Sequence, residues 1–270
     1  MDTYEAIYYR KSVRKYSKEK LSDDKLDEVR EIIDNSDSLY NQLDMTTHLI
    51  EEGNKVQEVI SGIVGSYGKV EAPHYLVITS EEKEGFLENI GYCLEQVILK
   101  LTTMGIATCW IGGNINKDSL AHILDMKDSH RPVIVISFGY AKDKDNYKRS
   151  EKGKAKRKDI SELIIDGNPG SKWSDLLTAA QLAPSAVNMQ PWRFDIDADK
   201  LHVYAIKRNR FLKKIFKPLK HLKLMNNIDV GIALSHIKIA ADHLGRGIEF
   251  ERIGSAKKKK YRYIISVLMD

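Results

Sequence analysis

The stretch GYCLEQVILKLTTMG, residues 91–105, has a counterpart later in the chain, GIALSHIKIAADHLG, residues 231–245. In both stretches apolar residues recur at helical spacing, and a glycine stands at each end. A C-terminal glycine tolerates the left-handed backbone conformation that often ends a helix. The two stretches begin 140 residues apart. We therefore predict two equivalent helices, Gly91–Gly105 and Gly231–Gly245.

The repeat extends to both sides of these helices. At the same offset Phe250 lies opposite Trp110, and a β-rich run follows each helix, RPVIVISFGY from residue 131 and YRYIISVLM from residue 261. Upstream, Ser38–Asn41 follows a predicted helix Asp23–Ile33 and aligns with Ser185–Asn188, which follows a predicted helix Trp173–Leu182. The chain is therefore expected to consist of two related halves, residues 1–165 and 171–270, joined through the glycine-containing segment 153–173.

The strand-like runs indicate the fold class. They are short, β-branched and nearly continuous in apolar residues, which is typical of buried strands. We predict that 75–79 pairs with 133–138, and that 194–196 and 201–206 pair with 261–268. The fold class is α+β, with the central helix of each half packed against the other.

Composition limits the possible functions. The chain has 270 residues, 42% hydrophobic and 30% charged, with a net charge of +5, as in a soluble globular protein. No apolar run approaches 18 residues and the N-terminus has no signal-peptide core, so we expect no membrane association. Cys93 and Cys109 stand in apolar segments, which predicts buried thiols and a reducing cytoplasm. The basic segment Lys142–Asp159 contains one aromatic residue and no nucleic-acid module, so a solvated loop with one or two anion ligands is favoured over nucleic-acid binding. Histidine and cysteine spacing predicts no metal site.

Two motifs carry chemistry. Arg10-Lys11-Ser12-Val13-Arg14 supplies the cations and the hydroxyl that a phosphate needs. The stretch APSAVNMQPWRF, residues 183–194, places short polar groups beside one large aromatic residue. Pro184 is expected to stop the preceding helix, because the residue before a proline avoids the α conformation. A loop of this composition suits a flat, polar, ring-shaped ligand.

Together the two motifs resemble the nitroreductase family of FMN enzymes, whose chains carry an Arg-x-Ser-x-Arg element and a Pro-Ser-x-x-Asn-x-Gln-Pro-Trp loop. In that family two subunits interlock and each flavin lies between them. The resemblance covers nearly the whole chain and implies a nitroreductase-like fold in which the dimer is fused into one polypeptide, an internal pseudo-dimer. Because each motif occurs in only one half, it also implies one flavin site and a chain that functions as a monomer.

The resemblance implies roles for individual residues. Arg10 and Ser12 would hold the FMN phosphate, with Lys11 adding main-chain or charge contacts, and Arg14 would approach the N1/O2 edge of the flavin ring. The remaining residues implied in cofactor binding come from three other segments: Gly112 and Gly113, which allow the backbone to approach flavin N5; Arg157, with Lys154 and Lys156 as rivals, as a second phosphate ligand; and Pro184, Ser185 and Asn188, which would contact the ring and ribityl chain. Gln190 and Trp192 would support the loop.

The implied activity is that of an FMN-dependent oxidoreductase. NADH or NADPH would reduce the flavin at N5 and leave, and a nitroaromatic, a quinone or a similar small molecule would then accept the electrons, in a ping-pong sequence. The flavin carries the chemistry, so no side chain is predicted to be catalytic. The alternative is a non-catalytic FMN-binding protein that stores or senses the cofactor.

Overall fold

A computed structural model of the protein describes residues 1–60, 70–112, 117–197, 199–207, 222–254 and 258–269. The elements up to residue 139 are, in order, α1 (Thr3–Tyr9), α2 (Asp23–Asp34), β1 (Met45–Ile50), α3 (Gly53–Ile60), β2 (His74–Ser80), α4 (Phe86–Thr103), β3 (Ala107–Ile111), α5 (Lys117–Leu120) and β4 (Arg131–Gly139). Those that follow are α6 (Ile160–Leu163), β5 (Ile164–Asp166), α7 (Gly170–Leu182), β6 (Trp192–Asp197), β7 (Lys200–Ile206), α8 (Leu222–His243), β8 (Ile248–Glu251) and β9 (Tyr261–Met269).

The nine strands found in the described residues form two sheets with the same internal order. The first sheet runs β1-β2-β4-β3 and the second β5-β6-β7-β9-β8. If β5 is set aside, each sheet takes its four strands in equivalent positions along the chain, and all of these pairings are antiparallel. The predicted repeat is therefore confirmed at the level of topology, and so is the α+β class.

Each predicted strand is present and slightly longer than predicted. The pairings of 75–79 with 133–138 and of 201–206 with 261–268 are confirmed, but the pairing of 194–196 with 261–268 is wrong, because β7 lies between these two strands. β2 pairs with β4, with Val77 opposite Val135, and β7 pairs with both β6 and β9. Strands β1, β3, β5 and β8 are additional. β5 lies inside the segment that was expected only to join the halves, and it pairs in parallel with β6. This segment therefore also extends the second sheet.

Helices α4 and α8 cross at two glycines. A Cβ added to Gly91 would lie 2.1 Å from the carbonyl oxygen of Ile228, and one added to Gly231 would lie 2.0 Å from that of Glu88. No side chain fits at these distances, so each helix places a glycine against the backbone of the other. The two contacts are equivalent in the repeat, because Gly91 corresponds to Gly231 and Glu88 corresponds to Ile228. The central helices pack together as predicted.

The predicted starts of these helices are wrong, whereas the predicted ends are confirmed. α4 begins at Phe86 and α8 at Leu222, so Gly91 and Gly231 lie inside their helices. The physical reason is that these glycines serve the crossing of the helices and do not end them. At the C-terminal ends Gly105 and Gly245 adopt positive φ values of 78° and 65°, as expected for glycine caps.

The core spans both halves. The larger cluster of buried apolar side chains draws on α4, α7, α8 and one face of each sheet, and its largest members include Trp173 and Trp192. A second cluster lies on the other face of the first sheet, beneath α3 and α5. Cys93 and Cys109 are buried free thiols, as predicted. Burial raises the pKa of Cys93 to about 11 and also raises that of Cys109, so neither is a reactive thiolate.

The helix crossing makes a prediction about coupling. Gly91→Ala and Gly231→Ala should each destabilise the protein by about 1–3 kcal/mol, the range for overpacking, because the added methyl group forces the helices apart. The double variant should lose less than the sum of the two, because the first substitution already separates the helices. Chemical denaturation measures all three values.

The matched control pairs Gly91→Ala with Gly245→Ala, at a position where an added Cβ meets nothing within 4 Å. These two effects should add, because the sites share no contact. Additive losses for Gly91 with Gly231 would contradict the close approach of the helices.

Candidate functional site

The Arg-x-Ser-x-Arg segment runs from the end of α1 along the edge of β3. Arg10 caps α1, and Ser12 pairs in parallel with Thr108 of β3, where Val13 N–H donates to the Thr108 carbonyl at 2.9 Å. Arg10 is buried, with 3% of its surface exposed, whereas Arg14 is exposed. The segment therefore sends one cation into the molecule and leaves the other near its surface.

Arg10 meets a carboxylate inside the protein. The Arg10 Nε lies 3.9 Å from Oε1 of Glu95, a fully buried residue of α4. His236 Nε2, from α8, lies 3.2 Å from the same oxygen, and Trp110 Nε1 donates to Oε2 at 3.0 Å. His236 is bonded through Nδ1 to the Ala179 carbonyl of α7 at 2.9 Å. This cluster joins both halves of the chain.

The basic segment before α6 contributes two further arginines. Arg149 Nη1 donates to the Tyr8 carbonyl at 3.0 Å, and Arg157 donates to Asn188 Oδ1 and to the Leu182 carbonyl, both at 3.0 Å. Burial, together with the charge of Arg10, lowers the pKa of each guanidinium to about 10. The three arginines are thus close enough to repel one another.

Among the candidates in this segment, the structure favours Arg157. Lys154 and Lys156 are exposed, and Lys154 Nζ binds Glu151 at 2.6 Å. Arg157 is half-buried and reaches the Pro-Ser-x-x-Asn loop through Asn188. Arg149 was not singled out in the sequence, because nothing distinguishes it there from its many basic neighbours.

The loop after α7 has an unusual backbone. Val187, Asn188 and Gln190 have φ values of 47°, 58° and 48°, in the left-handed region that side chains disfavour. Pro184 is buried, and Ser185 Oγ accepts a hydrogen bond from Gln190 N–H at 2.9 Å. Such strain persists where surrounding contacts fix the backbone, and it is common at ligand sites.

Gln190 and Trp192 hold this loop in place, as predicted. Gln190 is 2% exposed; its Oε1 accepts from Lys158 N–H at 2.8 Å, and its Nε2 donates to the Asn188 carbonyl at 3.0 Å. Trp192 is fully buried in the core. From the other side, Asp229 of α8 accepts from Ala186 N–H at 3.1 Å.

The remaining predicted residues lie around the same region. Gly112 follows β3, and a Cβ there would lie 3.1 Å from Met225 Sδ of α8. Lys11 Nζ donates to Asn146 Oδ1. The positive charge of Arg14 partly offsets the rise that burial causes in the pKa of Cys109 in β3. Gly113 lies outside the described residues.

Buried polar atoms without partners mark the centre of this arrangement. Within the part of the chain that the structure describes, Arg10 Nε, Arg157 Nε and Thr108 Oγ1 are buried and have no hydrogen-bond partner. Buried N–H groups of this kind are rare unless water or a ligand satisfies them. The candidate site is therefore a cationic centre with unused donors, beside a preformed loop from the other half.

Comparison with known proteins identifies the family of the chain. The model of the family described as "Putative TM nitroreductase" matches residues 2–241. The chain belongs to this family. No curated protein sequence matches it.

A solved structure shares the fold over the whole chain. A "putative nitroreductase" of Thermotoga maritima is 21% identical over 100% of this chain and 94% of its own, with a TM-score of 0.60. A nitroreductase family protein of Clostridium novyi is 22% identical over 53% of this chain and 87% of its own, with a TM-score of 0.46. A nitroreductase of Bacteroides fragilis with bound FMN is 20% identical over 49% of this chain and 84% of its own, with a TM-score of 0.43. In the described residues no helix is both long and apolar enough to cross a membrane.

Asp229, which contacts the loop after α7, makes the stability of the folded protein depend on pH. Complete burial raises the pKa of its carboxyl well above the usual value. In the unfolded chain the group ionises near pH 3.9, whereas in the folded protein it keeps its proton. Its contribution to stability is therefore present below about pH 4 and is lost as the pH rises towards the folded pKa.

Asp229→Asn should remove this pH dependence and still accept from Ala186 N–H. We expect the variant to unfold at a higher Tm than the wild type at pH 8, with the difference vanishing near pH 4. Melting curves across this range measure it, and Asp242→Asn, an exposed position on the same helix, is the control. An equal shift at both pH values would contradict the buried neutral carboxyl.

Proposed function

We propose that this member of the nitroreductase family is an FMN-dependent NAD(P)H oxidoreductase that reduces small electron acceptors such as nitroaromatics or quinones. The two halves, residues 1–165 and 171–270, would act together as one FMN-binding unit. Membership of the family supports the class of reaction. The residues of the candidate site support FMN as the cofactor.

The cluster of Arg10, Arg149 and Arg157 carries the proposal. Burial, together with the charge of Arg10, lowers the pKa of Arg149 and of Arg157, and the Nε–H groups of Arg10 and Arg157 are buried without hydrogen-bond partners. A phosphate dianion would relieve the repulsion and accept hydrogen bonds from these guanidinium groups. The residues present therefore fit the phosphate of FMN, with Arg10, Ser12 and Arg157 as its proposed ligands and Lys11 adding charge.

The other proposed contacts fit the rest of the cofactor. Gly112 follows β3, and its backbone, which carries no side chain, is proposed to approach the flat ring of the flavin. Pro184, Ser185 and Asn188 belong to the strained loop that Arg157 ties to the phosphate side. Arg14, exposed beside β3, is proposed to face the N1/O2 edge of the ring, where a cation favours the reduced flavin. When bound, FMN supplies the hydride chemistry at its N5 atom.

The activity is tested by anaerobic reduction. Addition of NADH or NADPH to the FMN-loaded protein should bleach the flavin absorbance, and subsequent addition of a nitroaromatic or a quinone should restore it. Comparing the two nucleotides identifies the preferred donor. A protein that binds FMN but is not bleached by either would be a storage or sensing protein, and the proposed enzyme activity would be rejected.

The first half of the pseudo-dimer contains a filled counterpart of this loop. In the region that aligns with Ser185–Asn188, the Tyr40 ring packs against Gly85, and the Arg252 guanidinium lies 4.8 Å from the ring centroid. Arg252 also donates to Glu84 at 2.8 Å and to the Tyr40 hydroxyl at 3.1 Å. We infer from these contacts that the first half does not offer a second ligand site of this kind.

We therefore expect one FMN per 30.8 kDa monomer. Light scattering gives the mass of the holo-protein, and flavin absorbance against protein concentration gives the stoichiometry. Because one chain contains the whole site, the FMN affinity should not change on dilution. Two FMN per chain, or release of flavin when a dimer dissociates, would contradict the pseudo-dimer.

Arg10→Ala tests the phosphate site. The variant should bind FMN more weakly by about 1.5–3 kcal/mol, the range for hydrogen bonds to charged groups. Riboflavin has no phosphate, so its affinity should change much less. Fluorescence titration measures both ligands, and Arg30→Ala on the exposed face of α2 is the control for net charge. An unchanged FMN affinity would place the phosphate elsewhere.

A further inference from the structure

Glu95 is a buried carboxylate in a site that is otherwise cationic. It is fully buried on α4, and its contacts come from three other segments of the chain: Arg10 after α1, Trp110 in β3 and His236 in α8. We propose that Glu95 is a positioning residue for Arg10, so that recognition of the cofactor phosphate depends on a carboxylate held by both halves. This inference rests on the proposed function and adds a specific residue to it.

The carboxylate is fixed at both oxygens. Trp110 Nε1 donates to Oε2 at 3.0 Å, while His236 Nε2 lies 3.2 Å from Oε1 and the other ring nitrogen of His236 bonds the Ala179 carbonyl. A side chain with both ends bonded keeps one orientation, and groups that orient a ligand-binding residue are as important as the ligands themselves. Glu95 therefore presents Oε1 to Arg10 from a rigid position.

Arg10 needs such a partner. Its side chain is 3% exposed, its Nη2 lies 3.5 Å from Ser12 Oγ, and its Nε faces Glu95 Oε1 at 3.9 Å. Arg149 and Arg157 are near enough for their charges to repel it. Without the carboxylate, this repulsion would favour rotation of Arg10 away from the other two arginines. With it, the guanidinium stays between Glu95 and Ser12.

Two effects of removing the Glu95 charge have opposite signs. A carboxylate near a phosphate repels it, so the loss of this charge through space would strengthen FMN binding. Loss of Arg10 positioning would weaken it, because a strong charged hydrogen bond requires a fixed geometry. The sign of the change therefore separates the positioning role from a simple contribution to the local charge.

The experiment compares FMN with riboflavin in the full-length protein. For each variant the measured quantity is the Kd for riboflavin divided by the Kd for FMN, which isolates the phosphate contribution. Glu95→Gln keeps the size of the side chain and should lower this ratio about tenfold or more, the lower end of what a hydrogen bond to a charged group contributes. A structural defect alone would weaken both ligands equally and leave the ratio unchanged.

Glu88→Gln is the matched control, because Glu88 is also a buried carboxylate of α4 but contacts Arg262 instead. Its ratio should equal that of the wild type. A second variant, His236→Asn, keeps the Glu95 side chain but removes its contact with His236, because asparagine is too short to reach it. This variant should also lower the ratio. This variant keeps the test open should Glu95→Gln fail to fold.

A double variant completes the test. In an Arg10→Ala background, Glu95→Gln should cause no further fall in the ratio, since no guanidinium remains to be positioned. An unchanged or higher ratio for Glu95→Gln alone, or an equal further fall in the Arg10→Ala background, would overturn the inference. If the wild-type protein bound neither ligand, the proposed function itself would fail, and this outcome is distinct from the others.

Discussion

The close approach of α4 and α8 is the constraint on which the rest of the structure depends. Gly91 and Gly231 each lie against a carbonyl of the opposite helix, at distances that exclude any side chain. About one turn further along, Glu95 of one helix meets His236 of the other at 3.2 Å. The glycines thus bring the two halves together and align the residues beneath the site.

A symmetric frame carries an asymmetric site. The two sheets share one strand order, and each central helix places an equivalent glycine against the other helix. Around this frame the halves differ: the first supplies the buried Arg10 and the second supplies the strained loop from Pro184 to Gln190. At the position that aligns with this loop, Tyr40 and Arg252 pack on each other. Fusion of the halves allows each to keep only one part, because the other part is always present on the same chain.

The sequence was sufficient for features that depend on local pattern. Periodicity and glycine spacing predicted the repeat, the helix ends at Gly105 and Gly245 and two of the antiparallel strand pairs. Contacts between distant segments were beyond it. Glu95 and His236 are 141 residues apart, and a single charged residue in an apolar helix gives no sign of its partner. Likewise, Gly91 was interpreted as a helix start because the sequence does not show that another helix crosses there.

Contacts within the protein fix the strained backbone of the loop after α7. A non-glycine residue in the left-handed region costs about 1–2 kcal/mol, and Val187, Asn188 and Gln190 all adopt it. Buried contacts offset this cost, above all the bonds of Gln190 to Lys158 N–H and to Asn188. Because the backbone is already fixed, a ligand would lose little additional conformational entropy on binding there. The strain is therefore best understood as the cost of a preorganised surface, supported by a residue that itself stays out of reach of the ligand.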